Sequence, residues 1–124
     1  MPEGRSDVSQ YPHITHLADP QGMYQMVQAY LQWMAMKNYS DKTISGREFF
    51  LFWFLERCGQ RGLIRPSEIT KPILERYQRF LFHYRKADGR PLGFRTQQLR
   101  LVTLRSFFKY LVRANRLPSN PSAD

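Results

Sequence analysis

The chain has 124 residues, 42% of them hydrophobic and 15% aromatic, with 19 Lys and Arg against 10 Asp and Glu for a formal net charge of +9. That length holds one domain of ordinary size, and the apolar content excludes a disordered polymer. The longest apolar run, Phe49 to Leu55, is seven residues, far short of the roughly 20 that cross a bilayer. The N-terminus shows no signal-peptide pattern, and a lone Cys58 excludes an intrachain disulfide and a Cys-based zinc cluster. The expectation is a cytoplasmic, strongly basic domain with a polyanionic partner and no membrane partner.

Residues 1–21, with Pro2, Pro12 and Pro20 among polar neighbours, read as a flexible leader. His13 and His16 form an H-x-x-H pair there, but no Cys, Glu or third His stands close in sequence, so no metal site is expected. Met23, Val27, Tyr30, Leu31 and Met34 then recur at helical spacing and predict a first helix over 22–37. Ser40 or Asp41 is a good N-cap for a second helix over 41–60, ending near Gly59 or Gly62. The Phe49–Leu55 run is apolar on every side, as in a central buried helix, and Cys58 continues the stripe of Leu51 and Leu55 as core, not as a nucleophile. Thr70 as cap and Pro72 in the first turn open a third helix over 71–86. A turn-rich loop over 87–93 follows. Thr96 is expected to cap a fourth helix over 97–114, whose core arc is Leu101, Leu104, Phe107, Phe108 and Leu111. Pro118 and Pro121 make 118–124 read as the start of a linker. No strand pattern of period two occurs, so the fold class is all-α, a bundle of four main helices forming one domain over 22–117.

The charge is uneven. Residues 1–22 carry one Arg against three acids, which leaves +11 on the remainder. Arg85 to Arg116 holds nine Lys and Arg against Asp88 alone. Surface helices ordinarily pair such charges internally; here almost no acid is available, which points to an external anion. No glycine-rich phosphate loop, nucleophile elbow or convergent acid set is present, so neither an enzymatic site nor a cofactor is expected in this chain. His83, between Phe82 and Tyr84, reads as a half-buried surface residue. What does occur suits DNA. Arg forks onto guanine and Gln pairs with adenine in the major groove, while polar helix starts hold phosphates. Candidate contacts are Lys42, Thr43, Ser45 and Arg47 at the start of the second helix, with Gly46 permitting close backbone approach. On the fourth helix they are Arg95, Thr96, Gln97, Gln98, Arg100, Arg105 and Lys109. Arg113 shares a stripe with Gln98, Arg105 and Lys109.

Tyr30-Leu31, then Tyr39-Ser40-Asp41-Lys42-Thr43-Ile44, then Thr96-Gln97-Gln98-Leu99-Arg100-Leu101-Val102-Thr103-Leu104-Arg105-Ser106-Phe107-Phe108-Lys109-Tyr110-Leu111, and finally Asn120-Pro121 occur in this order. Together they resemble the N-terminal core-binding, SAM-like domain of tyrosine recombinases, the phage-integrase and Xer-type family, from about residue 22 to 124. The resemblance implies a helical domain that grips one arm of a recombination site in the major groove. A separate C-terminal catalytic domain, absent here, carries the tyrosine nucleophile, and other recombinase protomers share the DNA. By position, Thr43, Ser45 and Arg47 match the family's second-helix contact region, and Thr96, Gln97, Arg100 and Arg105 its fourth. None of the seven tyrosines is assigned as nucleophile. The bulky Phe49–Leu55 run departs from the family, whose members more often interleave charges there. It supports an alternative, a helical protein-interaction module docking through its Phe/Trp-rich second helix. A freestanding transcriptional regulator would need a tight helix-turn-helix, which is not evident.

Overall fold

The computed structural model describes residues 8–123. Its helices are α1 (Met23–Met36), α2 (Asp41–Gly59), α3 (Lys71–His83) and α4 (Phe94–Arg113), with single 3-10 turns at Val8–Gln10 and Pro66–Glu68. Among the described residues there is no strand, and one isolated bridge joins Arg85 and Pro91. The class is all-α, as the 3.6-residue period predicts. The chain divides into two compact units between Glu68 and Ile69. In the first unit α1 packs on α2; in the second α3 packs on α4.

In the first unit, α1 buries Met23, Met26, Val27, Tyr30, Leu31 and Met34, the stripe read from its sequence. Gly22 at its N-cap offers no side chain, and the Ile64 carbonyl accepts the Met23 N–H at 2.8 Å instead. The Ser40 hydroxyl caps α2, accepting the Thr43 N–H at 3.1 Å, a contact of the kind that stabilises a helix by about 1 kcal/mol. Leu51, Phe52, Phe54, Leu55 and Cys58 of α2 are buried, together with Ile44 and Glu48. Burial pushes the Cys58 thiol up to about 12, against a small opposing effect of Arg61, so it is inert core at neutral pH. α1 stops at a left-handed Asn38, whose successor Tyr39 returns its N–H to the Met34 carbonyl at 3.1 Å. Left-handed Gly62 does the same after α2, with Leu63 bonding Cys58 at 3.0 Å.

Residues 1–7 of the expected leader lie outside the described residues, whereas part of 8–21 packs against α2. Ile14 is buried, and the Tyr11 ring meets Phe52 edge-on at 5.5 Å. The Glu56 carboxylate accepts both the His13 backbone N–H at 2.8 Å and His13 Nδ1 at 2.6 Å. A side chain at Gly59 would overlap the His13 carbonyl, so only glycine lets this segment lie flat on α2. Asp19 anchors its far end, accepting from Arg65 Nε at 3.1 Å. His16 bonds locally to Thr15 at 2.9 Å.

In the second unit, Thr70 supplies its carbonyl, but not its side chain, to the first turn of α3. That helix ends at His83, three residues before the expected 86, because Tyr84 turns extended and Arg85 enters a hairpin with Pro91. α4 begins at Phe94, three residues before the expected 97, with Gly93 and not Thr96 at its N-cap. The physical reason is Gln97. Its side-chain Nε2 donates to the Leu92 carbonyl at 3.0 Å, while its backbone N–H bonds Gly93 at 3.0 Å. Buried Leu92 holds the entering chain. After α4, left-handed Asn115 reverses the backbone and Leu117 is buried. The expected linker start, 118–124, is described through residue 123. Asn120 Oδ1 accepts from the Ser122 backbone at 2.8 Å and from its hydroxyl at 2.6 Å. Pro121 and Ser122 sit beside Leu74, Leu101 and Leu104 at a groove of about 210 Å³.

The His13–Glu56 contact makes stability depend on pH. Burial raises the Glu56 carboxyl, but the His13 side-chain and backbone hydrogen bonds, with one from Gln60, outweigh it and hold the group below its ordinary 4.5. Its stabilisation is present above that value and is lost as pH falls through the depressed folded value. Glu56→Gln should therefore melt below the wild type at pH 7 and lose less melting temperature between about pH 5 and pH 3. Melting curves followed by circular dichroism across that range check it.

Candidate nucleic-acid interface

α4 carries Arg95, Arg100, Arg105, Lys109 and Arg113 and no acidic residue. Its buried arc is Arg100, Thr103, Leu104, Phe107, Phe108 and Leu111. Packing that arc inward forces the other four cations outward. Arg95, Gln98, Arg105, Lys109 and Arg113 are all exposed. Val102, 44% exposed, and Leu99, 42% exposed, interleave apolar surface with these polar groups. Thr96 and Gln97 are half-buried, and the Gln97 amide is already engaged with Leu92.

Arg100 departs from its expected place. It is only 5% exposed. At about 100° per residue it falls within about 40° of Leu104, Phe107 and Leu111, so the core stripe runs through it. A side chain so enclosed belongs to the packed arc of α4, which argues against the expected base contact at this position. Leu101, expected in the core arc, is half-buried at its margin.

The second candidate cluster lies in the first unit, at the start of α2. Lys42 and Thr43 are exposed in the first turn of α2, and Ser45 is half-buried. The Thr43 hydroxyl accepts from Ser40 at 3.0 Å, so it belongs to the cap. Arg47 is half-buried and braces α2 to α1: Nη1 donates to the buried Tyr30 hydroxyl at 2.7 Å. Its guanidinium stands 5.6 Å from the Tyr39 ring centroid, within the range of a cation–π contact. Gly46 sits inside the helix, where glycine costs roughly 1 kcal/mol relative to Ala. A Cβ there would meet nothing within 4 Å, so internal packing does not require the glycine.

The aromatic run divides between core and surface. Leu51, Phe52, Phe54 and Leu55 are buried, Phe50 and Trp53 are half-buried, and Phe49 is 39% exposed. Phe49 contacts Phe50 and Trp53 at ring separations of 6.0 and 6.1 Å. His83 is exposed at the end of α3, more open than its neighbours suggest, with its ring edge-on to Phe82 at 5.2 Å. Among the described residues no group of three or more His, Cys, Asp or Glu side chains could hold a metal ion.

Two all-α units, with an acid-free basic helix in the second, set the context for comparison with known proteins: these residues form a tyrosine recombinase-like domain. A relative is tyrosine recombinase XerC 2 of Ralstonia nicotianae, 36% identical over 98 residues that make up 79% of this chain and 28% of that protein. The chain therefore spans little more than a quarter of the relative's length. No protein-family model and no solved structure matches.

The burial pattern separates two arginines. Arg100→Ala should destabilise the fold by about 1–3 kcal/mol, whereas Arg105→Ala should stay within about 0.5 kcal/mol of wild type. Urea denaturation of both variants checks the difference, and equal midpoints would contradict the assignment of Arg100 to the core.

Proposed function

We propose that this chain is the DNA-gripping domain of a site-specific tyrosine recombinase. It holds the core recombination site in the major groove while a separate catalytic domain cuts and rejoins the strands. Its partners are double-stranded DNA, that catalytic domain and further recombinase protomers. The observation that carries this reading is the exposed face of α4: four cations and Gln98, with no carboxylate on the helix. The relation to a protein named as a tyrosine recombinase supports it. So does Gly46, whose missing side chain serves no contact within the fold. No described helix is long and apolar enough to cross a membrane.

Roles follow from chemistry and exposure. Gln98 and Arg105 offer the forked donors that read adenine and guanine, and Val102 beside them suits a thymine methyl. Arg95, Lys109 and Arg113 meet phosphates. Lys42 and the first turn of α2 hold another phosphate, and Gly46 lets the sugar-phosphate backbone approach that helix. Arg47 contributes indirectly, by fixing the start of α2 against α1.

About four phosphate contacts, from Arg95, Lys109, Arg113 and Lys42, predict a log–log slope of affinity against salt near about −3.6. Lys109→Ala should reduce the slope by about 0.9 on specific and random duplexes alike. Fluorescence anisotropy titrations at several salt concentrations measure both, and affinity indifferent to salt would refute the proposal. Gly46→Ala should leave the melting temperature unchanged or raise it, since Ala is worth up to about 1 kcal/mol more in a helix. The same substitution should weaken duplex binding several-fold, and unchanged affinity would remove Gly46 from the contact.

A further inference from the structure

We propose that the hairpin between α3 and α4 is a second phosphate clamp, in which Lys86 and Arg90 hold the DNA backbone outside the stripe on α4. The proposal rests on the DNA-binding reading and extends it to residues that neither sequence pattern nor resemblance assigns.

The hairpin is built, not frayed. Lys86 N–H bonds the Arg90 carbonyl at 2.8 Å, and Gly89 N–H bonds the Lys86 carbonyl at 2.8 Å. The Asp88 carboxylate accepts the Arg90 N–H at 3.0 Å, and Gly89 takes the left-handed conformation at φ +83. This is a three-residue loop closed by a glycine bulge. At its base, Arg85 Nη1 donates to the carbonyls of Phe82 and Tyr84 at 3.3 and 3.1 Å, fastening the hairpin to the end of α3.

That geometry sets Lys86 directly across from Arg90, next to the Arg85–Pro91 bridge. Like charges in directly opposed positions destabilise a hairpin. The one acid of the loop, Asp88, is turned onto a backbone N–H and bonds neither cation in the structure. Both Lys86 and Arg90 are exposed. Two cationic residues opposed across a tight turn, with the loop's acid bonded to neither, make a site for an anion that bridges them, and a phosphate diester fits. A nucleic acid is favoured over an acidic protein because the helix that follows the hairpin, α4, carries the exposed cations Arg95, Arg105 and Lys109 and no acidic residue. Phe94, 77% exposed at the start of α4, adds an apolar ring of the kind that packs on a deoxyribose.

None of the hairpin's hydrogen bonds uses the side chain of Lys86 or Arg90, so the double variant Lys86→Ala/Arg90→Ala should keep the wild-type circular dichroism and melt no lower. With a labelled duplex titrated at several salt concentrations, its log–log slope should be shallower by about 1.8, with equal fold-losses on specific and random sequences. Wild-type slope and affinity in the double variant would overturn the clamp while leaving the α4 grip standing. A loss confined to one sequence would overturn the assignment to phosphates. Absence of salt-dependent binding by the wild-type chain would instead overturn the underlying DNA reading.

Discussion

A helix that must bury one arc and carries cations without carboxylates has a single arrangement open to it. α4 buries Leu104, Phe107, Phe108 and Leu111, each an apolar side chain whose removal from water is worth roughly 1.5–3 kcal/mol. That burial fixes the rotation of the helix about its axis. Arg95, Arg105, Lys109 and Arg113 are consequently driven to the opposite side, where no acid of the same helix offsets them. The apolar packing therefore creates the basic surface, and its positive potential follows from the amphipathic phase. The DNA-binding proposal depends on this constraint more than on any single contact.

The first unit solves a different problem. α2 is too apolar to be covered by α1 alone, and residues 8–21 cover part of what remains. Ile14 and the Tyr11 ring supply apolar cover, Glu56 ties His13 by two hydrogen bonds, and Gly59 removes the side chain that would obstruct the approach. This fixes the C-terminal half of α2. Its N-terminal half is held separately, by the Ser40 cap and the Arg47–Tyr30 hydrogen bond. Between these two anchors the first turn of α2 is a polar edge, the kind of element on which a preorganised backbone contact can be built.

How much of this was legible in the sequence depends on the range of the interaction responsible. The stripe of α1 and the Ser40 cap are local, and both stand where the pattern puts them. Thr96 illustrates a local rule overridden: threonine is a favoured N-cap, yet Leu92 burial and the Gln97 side chain start α4 at Phe94. Arg100 shows residue type misleading where phase would not, since its 100° arithmetic places it among Leu104, Phe107 and Leu111. The packing of 8–21 was hidden because Tyr11 and His13 meet partners some forty residues away, Phe52 and Glu56. Ala87-Asp88-Gly89 signals a turn, but the hairpin ladder that sets Lys86 against Arg90 is a pairing that a helical reading of 71–86 conceals. Of the candidate contacts, Arg95, Gln98, Arg105, Lys109, Lys42 and Thr43 are exposed as a contact must be, whereas Arg100 and Arg47 are drawn into the structure.

The central claim is that the acid-free face of α4 and the first turn of α2 each meet DNA, and that the aromatic surface of α2 is not the principal docking site. A two-dimensional NMR titration of the isotope-labelled chain with a short duplex tests it residue by residue. The account predicts amide shift changes at Lys42–Gly46 and along Arg95–Lys109, reversed by added salt. Changes confined to Phe49, Phe50 and Trp53, or none at any protein-to-duplex ratio, would contradict it.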